Sequence, residues 1–283
     1  MKLKLLIGFI VILLMLPLVS SFGPSTHFFL LSESLSRSDD TLIKQIIQEN
    51  IGGCYAGLEY PDVGIFEYFT NFKDYKGLHS YSAVEEMLAT ATSNEQRAFA
   101  YCFKLHLAMD AISHNYWIPA EIKKTKLPNY IIHPIKELAI EGYHLDPLSN
   151  RLMEKHAEYD KWVAKAVGRD WSPEAERLNS ILGGGEFYSS GYTPQTDSAM
   201  AKTQFYIYSF IRKFVSEEST LDFQELSILE SVSVISGSTN KNLDPSGEKL
   251  LSQADASSQL TLYMIVIGIF LIIYYIAWRK RLI

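Results

Sequence analysis

His106, Asp110 and His114 recur at i, i+4 and i+8 in the stretch AFAYCFKLHLAMDAISHNYWIP, which runs from Ala98 to Pro119. On a helix the three fall within an arc of about 80° on one face. Phe99, Phe103, Leu105, Leu107, Met109 and Ile112 make the rest of that helix apolar on nearly every side, the pattern of a helix buried at the centre of a domain. A carboxylate and two imidazoles buried together require partners. A metal ion satisfies all three at once, because imidazole and carboxylate are both zinc ligands. A buried Asp–His hydrogen-bonded pair is the plainer alternative, and this triplet alone does not choose between them.

Further donors are spread along the chain. HPIKE supplies His133 and Glu137, again i and i+4, with Pro134 suited to a first helical turn. Asp62 follows Pro61 in a turn-like segment, and His79 follows in the loop GLHSYS. His27 stands five residues beyond Phe22 in FGPSTH, just past an expected targeting segment. Residues 1–21 have the form of a secretory signal: Lys2 and Lys4, an apolar core from Leu5 to Val19, then small residues to Ser21. Cleavage there makes Phe22 the new N-terminus, whose α-amine has a reference pKa of about 7.7 to 8.0 and yields its proton readily to a metal. An uncleaved anchor helix is the alternative, disfavoured by the short apolar run that ends in Pro17 and serines.

The elements that must carry these donors are helices. Helical patterns recur at Asp40–Glu49, Asn94–Ser113, His133–Glu141, Pro147–Val167 and Ser198–Ser216. Gly183–Gly185 and Phe187–Thr193 have loop character, and 236–258 turns polar, as a flexible stalk does. Composition describes one globular domain of ordinary size with ample apolar residues for a core.

Taken in order, FGPSTH, YPD, HS, HLAMDAISH and HPIKE resemble the zinc-dependent phospholipase C family, which is related to the fungal single-strand-specific zinc nucleases. The resemblance covers Phe22 to Glu137 by motif. It implies an all-α, multi-helix domain with up to three Zn²⁺ ions in a cleft. On that resemblance Asp62, His79, His106 and Asp110 hold one ion. The Phe22 amine and carbonyl, His27 and the bridging Asp110 hold a second, and His114, His133 and Glu137 hold a third. Two departures stand out. Phe22 replaces the Trp that usually begins the mature chain, where only main-chain atoms bind metal. The three residues between Asp110 and His114 are fewer than in the secreted bacterial lipases, and match the glycosylphosphatidylinositol-specific phospholipase D branch instead.

The chemistry the resemblance implies is hydrolysis of a phosphodiester by water that zinc has activated, with paired ions stabilising the attacking and leaving oxygens. Asp62 is expected to orient or deprotonate that water as the catalytic residue. A phospholipid is the expected substrate, with an extracytoplasmic nuclease as the alternative and a noncatalytic metal-stabilised binding module as a third reading. Tyr116 and Trp117 are either apolar neighbours of the cleft or core residues. No protein partner is inferable.

The ends bear on where this happens. Leu260–Trp278 is a nearly uninterrupted apolar run, about 28 Å of helix and long enough to cross a bilayer. Arg279, Lys280 and Arg281 follow it, which places the tail 279–283 in the cytoplasm and the helical domain outside. The expected organisation is therefore a signal at 1–21, a helical domain at 22–235, a stalk at 236–258 and a membrane span at 259–278. Lys2, Lys4 and the three tail residues are five of the chain's 26 basic residues against 32 acidic ones, so the part between carries a net charge of about −11. That balance disfavours nucleic acid, whose binding rests on basic contacts to phosphate. Cys54 and Cys102 leave two alternatives open, a bridge bracing the site or two buried thiols. His144 and His156 are read as structural or surface residues.

Overall fold

A computed structural model of the chain describes residues 24–63, 77–125, 129–141, 143–144, 159–168, 213 and 215–246. Among these residues the secondary structure is entirely helical, so the domain is all-α. The helices are α1 (Pro24–Arg37), α2 (Leu42–Glu49), α3 (Ile51–Val63), α4 (Tyr81–Thr90), α5 (Asn94–Ile112), α6 (Ile118–Lys123), α7 (Asn129–Glu141), α8 (Asp160–Ala166) and α9 (Glu217–Ile235). Between α5 and α6 the chain passes through a π turn, Ser113–Trp117.

The centre of the domain is α5. Ser93 caps its start by accepting from Gln96 N–H at 3.1 Å, while the Gln96 side chain reaches back to Thr92 N–H at 2.7 Å, a variant of the capping box. From Ala98 onward α5 is buried almost all round, because α2, α3, α4 and α9 pack against it on different sides. One flank lies in a cluster with Leu30, Ile47, Leu58, Trp117 and Phe223. The opposite flank carries Phe99, Phe103 and Leu107 into a second cluster with Tyr60, Val84, Met87 and Tyr159.

The tightest packing is between α3 and α5. An added Cβ at Gly57 would lie 2.0 Å from the Phe99 carbonyl oxygen, and one at Gly53 2.6 Å from that of Glu95. Only glycine allows the two backbones this approach. Cys54, between them on the same helix, is disulfide-bonded to Cys102 of α5, which decides the alternatives left open for these cysteines in favour of the bridge.

The structure differs from several sequence-based expectations. Asp62 lies in the last turn of α3, with Pro61 inside the helix. Three glycines and a proline disguise this helix, and close packing on α5 overrides their poor propensity. α7 starts at Asn129, so Pro134 is in its interior and not in its first turn. α1, α4 and α9 are further helices that the periodicity did not single out. The expected stalk is anchored over its first part: Asn240 N–H donates to Glu230 at 3.2 Å, and Ser246 is buried. Trp117 is a core residue, packed on Phe223 and donating to Ser219 Oγ at 3.0 Å, whereas Tyr116 is exposed.

No helix among the described residues is long and apolar enough to cross a membrane. The segment 259–278 expected to do so lies outside them, as do the signal segment, Phe22, His156, the loop 183–193 and much of the patterns at Pro147–Val167 and Ser198–Ser216.

Candidate metal centre

Eight of the nine expected ligands are described, and they gather at the core from six elements. α1 brings His27, α3 brings Asp62, and the turn ahead of α4 brings His79. His106 and Asp110 stand one turn apart on α5, His114 opens the π turn, and His133 and Glu137 stand one turn apart on α7. All are buried except Asp62, whose side chain is 23% exposed.

Three groups of side chains each bring their donor atoms within 4.8 Å of one another: His79–His106–Asp110, His27–Asp62–His106, and His114–His133–Glu137. His106 is common to the first two, and Asp110, a member of the first, also faces His27 of the second. Asp110 Oδ1 faces His27 Nε2 at 3.5 Å, and its Oδ2 faces His79 Nε2 at 3.5 Å and His106 Nε2 at 3.1 Å. The two carboxylate oxygens thus face different histidines, as in a carboxylate that bridges two cations. Asp62 Oδ1 lies 3.5 Å from His106 Nε2 on the more open side. In the third group Glu137 Oε1 takes a hydrogen bond from His133 Nε2 at 2.8 Å and lies 3.3 Å from His114 Nε2.

These separations test whether an ion fits. Zinc bonds of about 2.0–2.1 Å in a tetrahedron set neighbouring donors about 3.3–3.4 Å apart. The five looser contacts span 3.1 to 3.5 Å. The alignment is wrong for hydrogen bonding, though: both Asp110 oxygens and the Nε2 atoms of His106 and His114 are buried with no aligned hydrogen-bond partner. Buried polar atoms in that state are costly, and a cation between them removes the cost. Donor types, spacing and orphaned atoms therefore fit a cluster of zinc-like ions.

Two of these imidazoles are oriented by backbone carbonyls. His106 Nδ1 donates to the Leu58 carbonyl at 2.7 Å, and His114 Nδ1 donates to that of Pro245 at 2.8 Å. Each bond fixes the tautomer that turns Nε2 toward the cluster, the arrangement typical of metal-bound histidines. A separate buried network aligns α7. Glu121 accepts from Lys136 at 2.6 Å, Lys124 at 2.5 Å and Ser219 at 2.6 Å, and Lys136 is the residue before Glu137. His144 is half-buried against Phe29, within hydrogen-bonding distance of Thr26 at 3.2 Å and Gln224 at 2.6 Å, and belongs to none of the three groups.

Protonation follows from this packing. Burial, opposed by Asp110, pushes the His106 imidazole down to about 4, so it is neutral at pH 7 with its lone pair available. Burial would push the Asp110 carboxyl up, but the imidazoles around it, His106 foremost, hold it well below the usual carboxylate range. His114 differs. Burial lowers it, but the facing Glu137 carboxylate, the charge of Asp110 and the Pro245 carbonyl together raise it to about 9. A cation entering that group displaces a proton.

A cleft of about 380 Å³ opens beside His79, with Ser80, Tyr81 and Ser82 on one wall and residues 241–246 on the other. Gly53, Gly57 and the Leu58 and Pro245 carbonyls were not among the expected site residues. The Gly-x-x-x-Gly spacing at 53–57 was a readable sign of close helix packing, whereas nothing in a sequence marks a carbonyl. No family model, curated protein or solved structure matches the chain.

Proposed function

We propose that this chain is a metal-dependent phosphodiester hydrolase, most simply a membrane-anchored, phospholipase C- or D-like enzyme that works with zinc. The observation that carries the reading is Asp110, whose two buried oxygens face different histidines at 3.1–3.5 Å, His27 on one side and His79 and His106 on the other. A module that only binds a partner has no use for a bridged pair of cation sites beside a third. The order FGPSTH, YPD, HS, HLAMDAISH and HPIKE supports a phosphodiester as substrate.

Bound zinc supplies Lewis acidity, which makes water a nucleophile near neutral pH and offsets charge on phosphoryl oxygens. The chain's own residues do the rest. His27, His79 and His106 contribute imidazole donors, and Asp110 offsets positive charge on both of its sides. Asp62 combines contact with His106 and access to solvent, which suits it to hold the attacking water and take its proton. The cleft at His79 admits the phosphodiester, and the surrounding acidic charge favours a lipid headgroup over a polyanionic strand.

Elemental analysis of the purified chain tests this first. Up to three zinc ions per chain are expected, with Asp110→Asn losing the two that share the carboxylate and keeping the third. Release of headgroup from a choline lipid, compared with cleavage of a single-stranded oligonucleotide, then separates phospholipase from nuclease. A chain without tightly bound transition metal refutes the hydrolase reading.

A further inference from the structure

Beyond α9 the chain folds back over the π turn and is tied to three elements. Lys241 pairs with Glu85 of α4, and Asn240 N–H donates to Glu230 of α9 at 3.2 Å. Asn115 Nδ2 donates to the Asp244 carbonyl at 2.8 Å, and its Oδ1 accepts from Asp244 N–H at 3.5 Å. The same Nδ2 also donates to the Ala111 carbonyl at 2.8 Å, so the amide is fixed to α5 while it grips the returning chain. Ser246 closes the segment, its N–H and hydroxyl donating to Asp244 Oδ1 at 2.9 and 2.6 Å. The next residue after Asp244 is Pro245, whose carbonyl receives the His114 Nδ1 proton.

An imidazole ligand is only as well aimed as the hydrogen bond on its other nitrogen. For His106 that acceptor is Leu58, inside α3 and braced by the neighbouring Cys54–Cys102 bridge. For His114 the acceptor lies outside any helix, on a segment that side chains of Glu85, Glu230 and Asn115 tie to the domain.

We propose that residues 240–246 are a working part of the third metal site. Asn115 is a positioning residue that, through Asp244, seats the Pro245 carbonyl on His114. Occupancy of the His114–His133–Glu137 group then depends on this strap, and occupancy of the groups around Asp110 does not. Since residues 241–246 also form one wall of the cleft, unseating them opens the cleft as the third site weakens.

This inference rests on the reading of these side chains as metal ligands. The test compares the parent chain with Asn115→Ala and with an insertion of two glycines after Asn242, which moves Pro245 out of register without touching a ligand or a helix. Zinc per chain is measured against graded chelator, and Co²⁺ absorption reports the ligand field at each site. One ion is expected to bind about 10- to 100-fold more weakly in both variants, with the others held as in the parent and the chelator-treated melting curves nearly superimposed. Unchanged affinity for every ion overturns the proposal, and so does equal weakening of all sites, which marks general loosening of the fold. A parent chain that holds no metal overturns the metal reading itself and this inference with it, an outcome distinct from a loaded parent whose variants lose nothing.

Discussion

Gly57→Ala is the substitution on which the architecture makes its sharpest demand. The new Cβ would stand 2.0 Å from the Phe99 carbonyl oxygen, 2.7 Å from its carbon and 2.8 Å from its Cα. All three are backbone atoms of the central helix, so no rotamer change relieves the clash. A carbon and a carbonyl oxygen sit comfortably at about 3.3 Å, so α3 must retreat by about 1.3 Å. The Leu58 carbonyl retreats with it, stretching its 2.7 Å bond with His106 Nδ1 to about 4 Å, beyond hydrogen-bonding range. Overpacking of a core costs about 1–3 kcal/mol, and a buried imidazole N–H left without an acceptor about 1–3 kcal/mol more. The sum is about 4 kcal/mol, which in a domain of this size lowers the melting temperature by roughly 10 °C. Thermal unfolding in chelator measures it, with zinc content measured on the same samples, since a misaimed His106 should also weaken the Asp110 groups. Gly52→Ala is the matched control: it lies in the same helix, its Cβ meets nothing within 4 Å, and replacing a helical glycine there should leave stability unchanged or raise it by up to about 1 kcal/mol. A Gly57→Ala chain that melts with the Gly52→Ala chain and keeps the parent's zinc refutes the argument that this close approach builds the site.

Asp62→Asn should retain the fold and most of the metal while sharply lowering turnover, and unchanged turnover removes Asp62 from the reaction. Replacing Cys54 and Cys102 by serine opens a bridge spanning 48 residues, which should cost about 4 kcal/mol by loop entropy; intact mass before and after reduction and alkylation checks the bridge itself. Stability of the chelator-treated chain should peak near pH 6.5. Below that, an unfolded histidine takes a proton that buried His106 refuses until about pH 4; above it, His114, raised to about 9, gives up a proton whose stabilising contribution is complete below the unfolded value. His106 and His114 each contribute about 3 kcal/mol, His144, also pushed down to about 4 by burial, adds to the acid limb, and urea denaturation across pH 4–9 that shows no maximum contradicts these assignments. Zinc binding at the His114 group should release a proton between pH 6.5 and 9, measurable by calorimetry in buffers of different ionisation enthalpy.

Much of the candidate site's arrangement could be read before folding was considered. His106 and Asp110 share a face of α5 because helical periodicity alone puts residues i and i+4 together, and the same rule pairs His133 with Glu137 on α7. The apolar surroundings of the triplet announced a buried central helix. α3 was not readable in this way. Its glycines and Pro61 resemble a loop by propensity, and only contact with Phe99 and Glu95 shows what the glycines are for. Residues 240–246 have a linker's composition, yet bonds from Asn115 and His114 hold them to the domain.

By itself the sequence determined the donor types, their order along the chain and the helical faces that carry them, because these depend on side-chain chemistry and a local repeat of 3.6 residues. Tertiary structure alone decided which donors meet: that Asp110 turns one oxygen to His27 and the other to His79 and His106, and that Cys54 pairs with Cys102. It also decided which carbonyls aim the imidazoles, with Pro245 lying 131 residues from His114. The physical reason is that every residue has a carbonyl, so its use as an acceptor leaves no mark on residue identity. Only packing brings one particular carbonyl to one particular ring.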